Sequence, residues 1–335
     1  MRYVAQRILF SILSLCVLLF ITFLLSHVVS GDPAIVAAGP NAGADKIAAV
    51  RQEMGLDRPL LVQFWIYCSN IMHGDLGTSW FTRQPIASDI IRELPPSLEL
   101  VFVAMLINLA ISLPLGLLTA RYAGSRFDDI VRLLVMAGAG LPIFWLAIIL
   151  QQIVAGQWRL LPTAGRLGFQ NRDFTGATGF TLFDSLMQGR FDVFADALAH
   201  LVLPAFALTL LFTAVGVRIT RTSMIGEFRK DYVVLARAKG ASEGRIMVRH
   251  VFANGATPAL TVFGMQFGWM LGATVLVEEI FGRPGIGRYA VKAVTQSDIH
   301  AVVAVVFVVG LVFLFSNLIV DIALYLLSPR KHAGA

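Results

Sequence analysis

Apolar residues in this chain gather into six long runs, at residues 8–29, 98–119, 133–155, 198–217, 259–277 and 301–327. With about 1.5 Å of rise per residue, about 20 residues cross the roughly 30 Å hydrocarbon core of a bilayer. Each run therefore predicts a transmembrane helix. The last run is longer than one crossing requires and predicts a helix that tilts or projects. The runs are continuous rather than alternating, which argues against a membrane β-barrel. Pro114, Pro142 and Pro204 lie inside three of them. Each removes a backbone donor and predicts a kink, a device that lets a helix line a cavity or hinge. The first run exceeds the roughly 7–15 apolar residues of a secretory signal, and Ser30-Gly31-Asp32-Pro33 offers no small-x-small cleavage site. It reads as a retained helix that also targets the chain.

The polar intervals set the orientation. Arg2 and Arg7 precede the first run, Arg121 and Arg126 follow the second, and Arg330 and Lys331 follow the sixth. Arg218, Arg221, Arg229, Lys230, Arg237, Lys239, Arg245 and Arg249 fill the interval after the fourth. All of these fall on one side, and basic loops stay cytoplasmic. Both termini are predicted to be cytoplasmic. The opposite side carries two long intervals, 30–96 and 156–197. The first contains the segments ADKIAAVRQEMG and PLLVQFWIYCSNIMHGD, which predict short amphipathic helices beginning after Gly43 and at Pro59. Gly31-Asp32 and Gly74-Asp75 punctuate that interval. The second is rich in Gly, Asp and Phe and less regular. Both are too long for plain loops and predict folded external caps.

Composition agrees with the pattern. Of 335 residues, 57% are hydrophobic and 14% charged, against about 45–50% and about 25% in soluble domains. The net charge of +6 suits a basic face beside anionic lipid, and no nucleic-acid recognition module is present. Two cysteines, Cys16 and Cys68, supply neither a disulfide framework nor a metal site. No Walker A, HExxH or GxSxG pattern occurs, the six histidines lack ligand spacing, and the Gly-rich run 282–287 lies on the external side, away from any nucleotide. The chain is predicted not to be an enzyme. Asp321, with Asn317 one turn earlier, is the deepest intramembrane ionisable candidate. An interfacial cap or inter-helix hydrogen bond accounts for it.

The segment 231–254, DYVVLARAKGASEGRIMVRHVFAN, stands apart. Ile225, Phe228, Tyr232 and Leu235 step by three and four residues and predict one helical face. Gly240 can end that helix, Ser242 can cap a second, and Gly255 punctuates before Pro258. The prediction is two short helices joined at a tight corner, Ala238-Lys239-Gly240. Such a knob could enter a groove on a soluble partner or lie on the membrane surface.

That segment resembles the EAA loop of permease subunits of bacterial ABC importers, in the form found in the dipeptide, oligopeptide and nickel group. VVSGDP, GLDRPLLVQFWIY, HGDLGTSW, GLPIFWLAIIL, LPTAGR, AHLVLPA and VEEIFGRPGIGR resemble that group's other motifs, in order and over nearly the whole chain. The resemblance implies an all-α membrane protein of six transmembrane helices with the type I ABC importer permease fold. An extracytoplasmic insertion lies between helices 1 and 2. It implies residues 1–97 as the N-terminal helix with its external helical region. Residues 98–330 form the core permease domain, with the coupling hairpin at about 222–255. It implies a multi-pass protein of the bacterial inner membrane. The implied partners are a second homologous permease, two cytoplasmic ATPases that bind ATP and magnesium, and an extracytoplasmic solute-binding protein. This chain itself would bind no cofactor. The cargo would be di- or oligopeptides, with nickel chelates, glutathione or oligosaccharides as alternatives. A self-contained secondary carrier or channel is the rival of another class. By match to the loop motif, the ATPase-coupling residues are Asp231, Tyr232, Ala236, Arg237, Ala238, Lys239, Gly240, Arg249 and His250. Ala253 stands where the broader importer family usually has proline, and the first proline is Pro258.

Overall fold

The computed structural model describes residues 2–28, 43–53 and 57–327. Ser30 to Pro33, the Gly31-Asp32 pair, Arg330 and Lys331 lie outside them. Twelve helices carry the described chain. They are α1 (Arg2–Val28), α2 (Ala44–Glu53), α3 (Leu60–Met72), α4 (Ile86–Arg121), α5 (Arg126–Ala139), α6 (Ile143–Gln157), α7 (Thr181–Met187), α8 (Phe191–Phe228), α9 (Asp231–Ala238), α10 (Glu243–Ile280), α11 (Ile286–Thr295) and α12 (Ile299–Leu327). The described residues contain no β-strand beyond an isolated bridge between Thr78 and Pro85.

Five helices are long and apolar enough to cross a membrane, within α1, α4, α8, α10 and α12. A sixth crossing is made if α5 and α6 count as one span. The predicted third span, 133–155, is therefore two helices, bent by 96°. Gly140 and Leu141 form the break and Pro142 supplies the N-cap of α6 in extended backbone, where its missing N–H costs nothing. Pro114 and Pro204, by contrast, lie inside α4 and α8, which run on past them. Helices α2 and α3 begin after Gly43 and at Pro59 as the punctuation predicts.

The chain divides into two compact units. One comprises Met1–Leu94 with Tyr289–Leu314, and the other Pro95–Arg288 with Phe315–Ala335. Within the first, α1 and α12 touch at Gly310, where a Cβ would stand 2.7 Å from a Leu18 methyl. Buried Asp298 caps α12 by accepting the Ala301 N–H at 3.1 Å, and also accepts from the Ser79 hydroxyl at 2.7 Å and the Trp80 N–H at 2.6 Å. Buried Asp89 accepts from Thr82, Tyr289 and Arg92.

The second unit is built on α4, α8 and α10. In a bilayer, packing of small residues and interhelical hydrogen bonds hold helices together in place of the hydrophobic effect. Both devices occur. Asn108 of α4 donates to Gln266 of α10 at 2.8 Å, Ser112 donates to Asn108 at 2.9 Å, and Gln266 donates to the Phe212 carbonyl of α8 at 3.1 Å. At Gly216 a Cβ would fall 2.7 Å from Ser112 Oγ and 2.8 Å from the Phe263 ring, so α8 approaches α4 and α10 closely only without a side chain there.

Candidate functional site

The segment singled out by its sequence is a hairpin at one end of the second unit. Helix α8 ends at Phe228, Lys230 adopts extended backbone, and α9 starts at Asp231. This break changes the predicted face. Ile225, Phe228 and Tyr232 do pack together, around buried Met224, Val233, Ile246 and Val251. Leu235 does not, being 55% exposed, and Val233 is fully buried instead. A helix read as continuous from Ile225 to Leu235 carries its phase across a turn that resets it.

The corner is a Schellman motif. Gly240 N–H donates to the Arg237 carbonyl at 3.0 Å and Ala241 N–H to the Ala236 carbonyl at 3.1 Å. Gly240 has φ +78°, which an L side chain rarely adopts, and open space where a Cβ would stand. Ser242 occupies the N-cap position of α10, but its side chain makes no capping bond there. Glu243, in the first turn, is engaged from two sides. Arg237 donates to it at 2.7 Å, and Arg121 at the end of α4 reaches it at 3.1 Å. The Glu243 carboxylate beside it holds the Arg237 guanidinium above its usual pKa.

The second arm differs from expectation more deeply. It is not a short helix, because α10 runs unbroken from Glu243 to Ile280, through Gly255 and Pro258. Its hydrogen bonding widens to a π-helix over Ile246–Phe252 and returns to α at Ala253. The His250 carbonyl in this stretch accepts from the Asn254 side chain at 2.7 Å and from the Tyr232 hydroxyl at 3.4 Å. Gly255 is no break but a close approach: a Cβ would meet Glu227 Cγ at 2.8 Å and Met224 Sδ at 3.2 Å across the α8 interface. Glu227 in turn accepts from Tyr232 at 2.5 Å and from Lys230 at 2.6 Å. Burial, then the neighbouring Glu227 carboxylate, pushes the Tyr232 phenol up to about 12, so it stays protonated as a donor.

Of the nine residues predicted for coupling, the hairpin carries all within 231–250. Asp231, Arg237, Ala238, Lys239, Gly240 and Arg249 are exposed, whereas Tyr232, Ala236 and His250 are half-buried and turned into the arms. Sequence reasoning missed Val234 and Val248 and placed Leu235 on the packed face, yet these apolar residues are 59%, 64% and 55% exposed on the same hairpin. It also missed Glu243.

A second constellation lies at the far end of α10. Glu99 of α4 accepts from Arg283 at 2.9 Å, from Arg166 at 3.1 Å and from the Leu182 N–H at 2.7 Å. Glu278 accepts from the Ser97 hydroxyl and from the Arg288 N–H at 3.0 Å, and Ser97 accepts the Ile286 N–H at 2.8 Å. A Cβ at Gly285 would stand 2.3 Å from the Glu278 carboxyl carbon, so the GRPGIGR turn wraps that carboxylate only as glycine. Arg283 is wholly buried. Burial lowers its pKa to about 10 against the pull of Glu99, which leaves it charged at neutral pH. Asp321 is half-buried, whereas Glu99, Glu278, Asp128 and Arg283 are buried. No cluster of His, Cys, Asp and Glu suited to a metal occurs among the described residues.

The fold matches a chain of the MetNI methionine ABC transporter in its inward-facing conformations, with a TM-score of 0.53 at 13% identity, over 71% of this chain and 95% of that one. This is a likeness of fold, and the fold is that of type I ABC importer permeases. Likeness in sequence reaches further. The chain is 37% identical to the probable D,D-dipeptide transport system permease protein DdpB of Escherichia coli K12, over 94% of this chain and 92% of that one. It is 36% identical to the dipeptide transport system permease protein DppB of the same strain, over 92% of each. It is 33% identical to the glutathione transport system permease protein GsiC of Salmonella typhi, over 98% of each. The model of the binding-protein-dependent transport system inner membrane component matches residues 112–333, and that of the N-terminal region of such membrane components matches residues 1–101. A multi-pass helical chain matched in this way from end to end belongs to the family of inner membrane components of binding-protein-dependent transport systems.

Proposed function

We propose that the chain is one of two permease subunits of an ATP-driven importer of di- or oligopeptides, and that its 231–254 hairpin couples it to an ATPase. Residues 98–330 act as the translocation core, and the region 1–97 carries an external insertion after the first helix. Both termini and the hairpin face the cytoplasm. A solute-binding protein delivers cargo on the opposite side, and two ATPase subunits bind and hydrolyse ATP with magnesium. The chain itself holds no cofactor.

The observation that carries this reading is the build of the hairpin. A coupling element must transmit displacement without deforming. Here a Schellman corner, a two-arginine clamp on Glu243 and the Gly255 approach join α9 to α8 and α10. The exposed surface left over combines the apolar Val234, Leu235 and Val248 with basic Arg237, Lys239, Arg245 and Arg249. Such a surface suits a groove on a soluble protein with an acidic rim. Peptide cargo is supported by the dipeptide permeases among the relatives, and the glutathione permease, itself named for a peptide, falls in the same class.

The test uses the assembled transporter. Gly240→Trp forces a bulky side chain into left-handed backbone at the exposed corner. The variant is expected to insert in the membrane and retain the second permease, yet lose co-purifying ATPase or lose uptake of labelled dipeptide. Unimpaired uptake would overturn the docking claim. Uptake that needs neither ATPase nor binding protein would favour a self-contained carrier.

A further inference from the structure

We infer that α3 (Leu60–Met72) lies embedded in the membrane interface beside α1, with its Leu61/Trp65/Met72 face against lipid acyl chains. An external cap standing in water does not fit its contacts. The inference rests on the membrane crossing of α1, not on the choice of cargo.

The depth of α3 follows from its contacts. Phe64 meets Phe20 and Phe23 edge-on at centroid distances of 5.8 and 5.3 Å, and Tyr67 packs on Phe23 at 5.7 Å. Tyr67 Oη donates to Thr22 Oγ1 at 3.0 Å. All three α1 partners belong to the apolar span Gln6–Leu25, two to five residues before its end. At about 1.5 Å per residue they lie roughly 3–8 Å inside that end. An amphipathic interfacial helix sits at about 5–10 Å depth.

The rotational pattern agrees. At about 100° per residue, with Leu60 as origin, Tyr67 and Phe64 fall near 340° and 40°, facing α1. Cys68, Leu61, Met72 and Trp65 follow between about 80° and 140° on the same helical scale. Ser69, Val62, Ile66, Asn70 and Gln63 fall between about 180° and 300°, again by helical geometry. The helix thus presents three sectors, one against α1, one apolar and one mixed that holds its amide and hydroxyl side chains. Leu61, Trp65 and Met72 are 83%, 70% and 73% exposed, and no residue of α3 is buried. Beside them runs the apolar span of α1, itself mostly exposed. Trp and Tyr at this level match the aromatic belt of membrane interfaces. Lipid is the occupant that both the depth and the neighbouring span select.

The experiment is site-directed spin labelling of the full chain, assembled with its partner subunits in lipid nanodiscs. In a Cys16→Ser, Cys68→Ser background, Trp65→Cys and Asn70→Cys each carry one nitroxide. Power saturation compares collision with oxygen, which partitions into lipid, and with a nickel chelate, which stays in water. The inference expects oxygen to dominate at 65, with loss of nickel-chelate access relative to 70. Equal, high nickel-chelate access at both positions would place α3 in water and overturn it. Shielding of 65 from both reagents would also overturn it, because a protein surface would then cover the stripe.

Discussion

Glu99 shows how one side chain can hold a membrane protein's irregular end together. Its carboxylate ties α4 to the Arg166 loop, to the start of α7 and to the turn after α10, and the last of these ties, to Arg283, is buried. Removing one partner of a buried pair strands the other, at about 3–5 kcal/mol, whereas replacing both with apolar groups of similar volume is often neutral. Glu99→Ala is therefore expected to lower the thermal unfolding midpoint of the purified chain sharply. Glu99→Met with Arg283→Met should recover much of the loss. A double variant no better than the single one would show that Arg166 and the backbone amide, not Arg283, carry the cost. Such groups were not legible beforehand. Glu99 and Glu278 belong to no local motif, and their partners lie between 67 and 184 residues away from Glu99 and up to 181 from Glu278. Local spacing carries no trace of contacts made across such distances. The short-range signals were reliable by contrast: Gly240 was readable as a helix end because its role, positive φ after a helical stretch, is decided within six residues.

The helices themselves were readable wherever punctuation and hydrophobicity agreed, as at Gly43 and Pro59. They misled where a glycine served packing instead. Gly255 reads as a stop, yet α10 passes through it, because the missing Cβ is what admits Glu227 and Met224 from α8. The same ambiguity works in reverse at Gly140 and Pro142, where a single apolar run conceals a 96° bend. Hydropathy records only that residues are apolar, not the direction in which the backbone carries them. Gly255→Val follows at this scale. A side chain there must spread α8 from α10, and overpacking costs about 1–3 kcal/mol. Because the contact lies at the root of the hairpin and far from the Glu99 cluster, uptake should fall while ATP hydrolysis by the assembled partners becomes less responsive to binding protein. Unchanged stimulation by binding protein would mean that the α8–α10 contact is not part of the coupling.

At the scale of the whole molecule, hydropathy and loop charge were enough to identify a multi-pass helical protein, and collinear motifs pointed to the family now matched over both parts of the chain. What they could not convey is that α8 and α10 extend far past their apolar runs. Each is 38 residues long, or about 57 Å at 1.5 Å per residue. The hairpin is consequently no appendage on a loop. It is the outer end of two helices whose middle sections lie in the Asn108–Gln266 seam.

The π-helical stretch at Ile246–Phe252 gives this arrangement a setting that can be dialled. A π segment behaves as an α-helix with one residue too many, and each α residue turns the chain by about 100°. Deleting one residue there would let α10 close up into an ordinary helix and leave the hairpin within about 30° of its bearing, because the wide turns already absorb the extra residue. Inserting one residue into the α-helical turns that follow Ala253 has no such slack and rotates everything before it by about 100°. The deletion is expected to keep uptake, whereas the insertion is expected to express stably with an intact Gly240 corner aimed at the wrong quarter of the compass, and so to lose uptake. Full activity in the insertion would mean that the bearing of the hairpin is set by its partner rather than by the helix that carries it.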